Sequence, residues 1–424
     1  MLLKNAKIVN PKTNFEGISD IRIEDGYIKE ISVNIIPLNN EKVIDLTGKL
    51  ITPGLIDMHC HLREPGFNAK ETIKTGIASA INGGYTAICP MANTNPVVDN
   101  STTLTYTISK AKEVSEIGFY PICAVTKGLS NEKLVNVSEL LDNGAIAFSD
   151  DGKPVENMHL LKNALKYINS HNSIIISHSE DASLANGGVI NEGKVSTRLG
   201  LKGIPNITES LAVARELEVV RSVNGKYHFA HISTRRSIEL IRQAKKDGLN
   251  VTAETAPHYF SLTEDDIVDY DAKYKVNPPL RTKDDLEAVI EGLQDGTIDV
   301  IATDHAPHTV HEKLLPIQNA PMGLAGFETA LGITLTYLVH SGKLSLLEAI
   351  KKLTYAPSKI LNIQNQGSIE VGSEANLTVI DLNEEWIVDA SQFKSKCRIS
   401  PFDKMNLKGK QKMTIIKGKI HNIG

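Results

Sequence analysis

Eight short apolar runs recur through the middle of the chain, separated by helical patterns: Leu55 to Met58, Thr86 to Met91, Phe119 to Val125, Ala145 to Ser149, Ile174 to His178, Tyr227 to His231, Asn250 to Glu254 and Asp299 to Asp304. A strand buried on both faces reads as a continuous apolar run rather than as an alternating one. Eight such strands alternating with helices predict an α/β chain with a (β/α)8 TIM-like barrel. The two ends have another rhythm. Lys7 to Asn10, Ile21 to Ile23 and Tyr27 to Ile31 are strand-like, with a hairpin signal at Asp25-Gly26. Ser368 to Val371, Leu377 to Asp381 and Met413 to Ile420 are similar, with a turn at Lys417-Gly418. Neither end holds enough strands for a stable sheet of its own. They are expected to pair into a small composite β-sandwich domain of residues 1–52 plus 360–424, leaving 53–359 as the catalytic barrel.

Charge narrows the partners. Lys and Arg number 46 against 50 Asp and Glu, and no long basic run occurs, so nucleic acid and membrane surfaces are poor partners. An anionic substrate would need a local cationic site instead. Cys60, Cys89, Cys123 and Cys397 form no CxxC pair, which predicts reduced thiols in a cytoplasmic protein. The stretch from Met1 to Pro11 is too short and too polar for a signal peptide, and no apolar run reaches membrane-spanning length.

Barrel active sites lie at the C-terminal ends of the strands. Here those ends carry His59 and His61, Asp150 and Asp151, His178, His231, and Asp304. Residues i and i+2 of a strand project to one face, so His59 and His61 can reach a single metal while Cys60 turns away. His178 and His231 occupy equivalent points of successive strands. His228, three residues before His231, is expected to face the other way and to be structural. His159, His171, His340 and His421 fall in helical or surface contexts. An aspartate closing an apolar strand, as Asp304 does, is costly to bury unless a metal or a proton partners it. Of Asp150 and Asp151 at most one faces the barrel mouth, and spacing does not choose between them. Six ligands exceed the usual catalytic zinc set. Two metals roughly 3.5–4 Å apart, sharing a carboxylate and a hydroxide, fit better and suit attack on an amide.

These segments resemble the dihydroorotases of the bacterial type I class, within the amidohydrolase superfamily. The resemblance spans the whole chain. It rests on Pro53-Gly54-Leu55-Ile56-Asp57-Met58-His59-Cys60-His61-Leu62-Arg63-Glu64-Pro65-Gly66, Asn93-Thr94-Asn95-Pro96, Phe148-Ser149-Asp150-Asp151-Gly152 and Asp304-His305-Ala306-Pro307-His308. It implies two zinc ions per subunit: His59 and His61 on one with Asp304 beside it, His178 and His231 on the other, and Asp151 bridging them. Hydantoinases, allantoinases and the other dihydroorotase class generally place a carbamylated lysine at that bridge. The resemblance further implies that His61, Arg63, Asn93, Asn277, His308, Met322 and Gly323 contact substrate, with Arg63, Asn93 and His308 on its carboxylate. A planar guanidinium suits that task.

The activity so implied is reversible closure of N-carbamoyl-L-aspartate to L-dihydroorotate plus water, in de novo pyrimidine (UMP) synthesis. A zinc-bridged hydroxide would attack the ring amide, and Asp304 would serve as general base and then acid. A homodimer, and association with aspartate carbamoyltransferase, are also implied. The rival readings are a hydantoinase, dihydropyrimidinase or allantoinase, and an inactive scaffold homologue. Two positions depart from the family: Ala92 replaces a usual proline and is expected to loosen the Asn93 loop, and Met322 stands where a bulky aromatic is common.

Overall fold

The computed structural model describes residues 1–422. The apolar runs of the middle form parallel strands: Leu55–Cys60, Tyr85–Pro90, Ala147–Phe148, Ile175–Ser177, Tyr227–Phe229, Val251–Thr255 and Val300–Ile301. The third run divides at Tyr120-Pro121 into Gly118–Phe119, which pairs with Tyr85–Pro90, and Ile122–Cys123, which pairs with Ala147–Phe148. That division links a three-stranded and a six-stranded parallel ladder. The first and eighth strands meet differently. Their seam holds one parallel bridge, Cys60 to His305, and a backbone bond from His61 N to His305 O of 2.8 Å. A side chain supplies the rest: Asp57 accepts from Thr303 N at 2.9 Å and from Thr303 Oγ1 at 2.6 Å. Burial pushes the Asp57 pKa up to about 7, against the pull of those Thr303 bonds.

Strand residues alternate between two cores. Ile56, Met58, Ile122, Ile176, Val300 and Ala302 pack with Leu361 and Ile363 into one cluster. Cys60, Phe148, Tyr227, Phe229 and Ile301 pack outward with the helices. Leu361 belongs to the helix Tyr355–Leu361. The boundary expected at residue 360 therefore falls inside a helix that packs with the barrel strands. All four cysteines are buried and free.

The two chain ends form one eight-stranded sheet. Its central pairing joins them: Leu50–Pro53 runs antiparallel to Leu377–Ile387, with Ile51 opposite Val379. The Asp25-Gly26 turn, with φ of 52° and 83°, links Phe15–Glu24 to Tyr27–Ser32 as expected. A Cβ on Gly26 would lie 2.9 Å from Lys417 O, so the two hairpin turns abut and the sheet closes over a core of Ile8, Ile21, Ile28, Val379 and Ile415. The Lys417-Gly418 turn connects Asn406–Ile416 to Lys419–Asn422. The strand expected at Ser368 to Val371 does not form. That segment is a loop, held by Asn10 Nδ2 donating to Ile369 O and by the Lys12–Glu370 ion pair, and followed by bonds from Gly372 N to Ile28 O and from Ile28 N to Ser373 O. The sheet docks on the first barrel helix, Ile73–Asn82, where Thr414 Oγ1 donates to Ile81 O and Thr378 Oγ1 donates to Gly84 O. No described helix is long and apolar enough to cross a membrane.

Candidate active site

A cleft of about 170 Å³ opens at the C-terminal ends of the strands. It is lined by His61, Arg63, Asn93, Asp151, His178, His231, Asn277, Asp304, Met322 and Gly323, together with Gly152 and Ala306. His59 lies beneath, fully buried. Two groups of donor atoms within 4.8 Å of one another share one residue: His59, His61 and Asp151, and Asp151, His178 and His231. Asp151 Oδ1 lies 3.5 Å from His59 Nε2, 3.4 Å from His178 Nδ1 and 3.7 Å from His231 Nε2. Asp151 Oδ2 lies 3.5 Å from His61 Nε2. Asp304 Oδ1 is 3.2 Å from His61 Nε2 and 3.7 Å from His59 Nε2. Asp150 turns the opposite way and accepts from Val125 N at 2.7 Å and Thr126 N at 3.0 Å. The alternation left open in the sequence thus places Asp151, not Asp150, in the cleft.

The donor set fits divalent cations. His59 Nε2 and Asp151 Oδ1 are buried without a hydrogen-bond partner, a costly state that a cation between them relieves. The remaining nitrogens of three histidines are already engaged. His59 Nδ1 lies 2.6 Å from Glu254 Oε1, His61 Nδ1 lies 2.9 Å from Asn93 Oδ1, and His178 Nε2 lies 2.8 Å from Glu180 Oε2. Such bonds select the tautomer that leaves the other nitrogen free for a metal. Electrostatics agree. Burial opposes charge on Asp151, yet His59, His178 and His231 hold its pKa well below the usual carboxylate range. Asp304 is buried too, and its bond to His61 with the nearby His59 and His231 likewise keeps it low.

Backbone strain gathers here. Arg63, His231 and Asp304 have φ of 64°, 32° and 46°, a region that side-chain-bearing residues seldom adopt. The kink at His231 is why simple alternation misplaced His228. That ring lies inside the barrel, with Nδ1 2.7 Å from Thr252 Oγ1 and Nε2 3.3 Å from Glu254 Oε2.

The other end of the cleft is cationic. Arg63 Nε donates to Pro307 O at 3.2 Å, and Arg63 Nη2 sits 3.4 Å from His308 Nε2. Burial and then the Arg63, Lys70 and Lys313 charges push His308 down to about 2, so its ring is neutral. Its Nε2 donates to Met322 O at 2.8 Å. A Cβ on Gly66 would fall 1.9 Å from Asn95 O, so only glycine lets the Arg63 loop rest on the Asn93 loop. The Asn93 loop is itself tied by Thr94 N and Val98 N to Ala92 O, and by Asn95 N to Pro65 O. The loosening expected from Ala92 meets those three bonds. Two lysines absent from the sequence reading hold the Met322 loop: Lys275 Nζ donates to Ile317 O and Ala320 O, and Lys313 Nζ to Gly323 O. Glu180 and Glu254 were also missed. Glu180 follows His178 by two residues and accepts from Asn277 Nδ2 at 2.6 Å. Glu254 closes the seventh apolar run, and that position was its one available signal.

A parallel barrel with histidines and aspartates from five strands at its C-terminal mouth defines the amidohydrolase class. A model described as "Amidohydrolase family" matches residues 206–421, and one described as "Dihydro-orotase-like" matches 48–237. A dihydroorotase of Acetivibrio thermocellus is 50% identical over 420 residues, covering 99% of this chain and 98% of its own. One from Ruminiclostridium cellulolyticum is 46% identical over 418 residues, with 99% and 97% covered. Among solved structures, an L-hydantoinase (dihydropyrimidinase) from Arthrobacter aurescens superimposes with a TM-score of 0.89 at 26% identity, over 99% of this chain and 95% of that one. The chain belongs to the dihydroorotase family.

Proposed function

We propose that this chain is a dihydroorotase that interconverts N-carbamoyl-L-aspartate and L-dihydroorotate at a centre of two zinc ions. The observation that carries the reading is the cleft itself: an aspartate shared by four histidines at one end and a guanidinium at the other. His59, His61 and Asp151 would hold one ion and Asp151, His178 and His231 the other. Bound there, divalent cations supply a water of lowered pKa and polarise the amide carbonyl. The protein's own groups do the rest. Arg63 binds the substrate carboxylate through its planar fork, with Asn93 and neutral His308 as hydrogen-bonding groups around it, and Asn277, beside His178 and Glu180, makes a further substrate contact. Asp304 turns Oδ1 to His61, which leaves Oδ2 to take a proton from water and return it to the ring nitrogen. Met322 and Gly323 would line the ring.

The close likeness to a hydantoinase structure supports one rival, a cyclic amidase without a carboxylate requirement. Assays with carbamoyl-aspartate, dihydroorotate, hydantoin and allantoin, with and without chelator, separate the two. Chelator-sensitive turnover of the first pair alone is expected, and preferential turnover of hydantoin would overturn the reading. Cyclisation consumes one proton, because the open substrate carries two carboxylates and the ring one. At equilibrium the ratio of ring to open form should fall about tenfold per unit rise in pH above the carboxyl range. A ratio constant between about pH 6 and about pH 8 would contradict the reaction as written. Arg63→Met should raise KM for dihydroorotate roughly 10- to 100-fold, the worth of a charged hydrogen-bonded pair. Metal content should not change, and an unchanged KM would remove Arg63 from the substrate site.

A further inference from the structure

Below His59 a chain of side chains runs inward through the barrel, and the proposed reaction does not use it. Glu254 is buried, with Oε1 2.6 Å from His59 Nδ1 and Oε2 3.3 Å from His228 Nε2. His228 is also buried, and its Nδ1 lies 2.7 Å from Thr252 Oγ1. One assignment of protons satisfies every atom in the series. The Thr252 hydroxyl donates to His228 Nδ1, His228 Nε2–H donates to Glu254 Oε2, and His59 Nδ1–H donates to Glu254 Oε1. A single atom is left over, His59 Nε2, which is buried, unpartnered and 3.5 Å from Asp151 Oδ1.

We propose that Glu254, held in place by His228 and Thr252, is a positioning residue that locks His59 in the tautomer and orientation in which Nε2 binds metal. The inference rests on the two-metal reading of the cleft. The reverse tautomer would set a His59 Nε2–H against the ligand cluster and leave Glu254 Oε1 buried without a donor, so the network disfavours it from both ends. His59 is backed in this way by a wholly buried carboxylate, whereas His61 is backed by the amide of Asn93 and His178 by Glu180, which reaches the cleft beside Asn277. The effect of Glu254 is therefore confined to one of the two ions.

Zinc affinity of the intact protein, measured by competition with a chromophoric chelator, tests this. In Glu254→Ala one of two zinc equivalents should weaken about 10- to 100-fold, as is usual for loss of a group that orients a metal ligand. Glu254→Gln keeps an acceptor for Nδ1–H and should stay within about threefold. His228→Ala added to Glu254→Ala should cost nothing more, because both act through one path. Imidazole nitrogen spectra of the cadmium-loaded wild-type protein supply a readout that needs no variant to fold. The metal should lie on His59 Nε2 and the proton on Nδ1. Metal on Nδ1, wild-type affinity in Glu254→Ala, or equal losses in the Ala and Gln variants would overturn the inference alone. Wild-type protein that binds no zinc would overturn the reading beneath it as well.

Discussion

Replacing Asp304 by alanine should lower kcat by about a thousandfold, within the range that a general acid–base group contributes. Most of the bound metal should remain. Asp304 stands outside both donor groups, and its Oδ1 approaches His61 and His59 from one side only. Buried Asp304 is kept ionised by its bond to His61 and by the histidines around it, so it carries no proton and can accept one. Steady-state kinetics with parallel metal analysis check this. Activity within about tenfold of the parent, little more than a kilocalorie of barrier, would refute the role.

Asp151→Asn should do more damage by a different route. Asp151 is common to both donor groups, so neutralising it removes charge from both cation positions at once. Metal content should fall well below one equivalent, and kcat/KM should fall by more than about a thousandfold. His178→Ala is the contrast, since His178 belongs to one group only. It should lose one ion and spare the other. If Asp151→Asn kept two ions, the bridging assignment would fail while the Asp304 assignment could still stand.

The residues that were legible in the sequence share a trait: each sits at the end of an apolar run, where a polar side chain is locally anomalous. His59, His61, Asp151, His178, His231 and Asp304 all announce themselves that way, and the barrel then brings them together. Arg63, Asn93 and His308 needed the resemblance, because a polar residue on a polar loop is unremarkable alone. What stayed hidden was pairing. Glu254 meets His59 across 195 residues, and Thr303 meets Asp57 across 246. Contacts of that kind leave no local period to read. His228 was misjudged for another reason: a strand's alternation holds only while its φ stays extended, and His231 breaks it. Ser368 to Val371 has the composition of a strand, but the chain meets the free edge of Tyr27–Ser32 only beyond it, through Gly372, Ser373 and Glu374, so the segment runs as a loop.

The sheet built from both chain ends bears on how the molecule is made. Leu50–Pro53 is flanked by Leu2–Asn10 on one side and by Leu377–Ile387 on the other. A ribosome releases the first of those partners early and the second only after the whole barrel has been synthesised. Until then Leu50–Pro53 presents an open edge directly before the strand that carries His59, and an open edge is a template for wrong pairing. The last hairpin, Asn406–Ile416 with Lys419–Asn422, completes that sheet and clamps the first barrel helix through Thr414. Maturation of the site should therefore be timed by synthesis of the strands from residue 377 onward, and a nascent chain stalled before residue 377 should hold all six proposed metal-site residues but not the sheet that buttresses them.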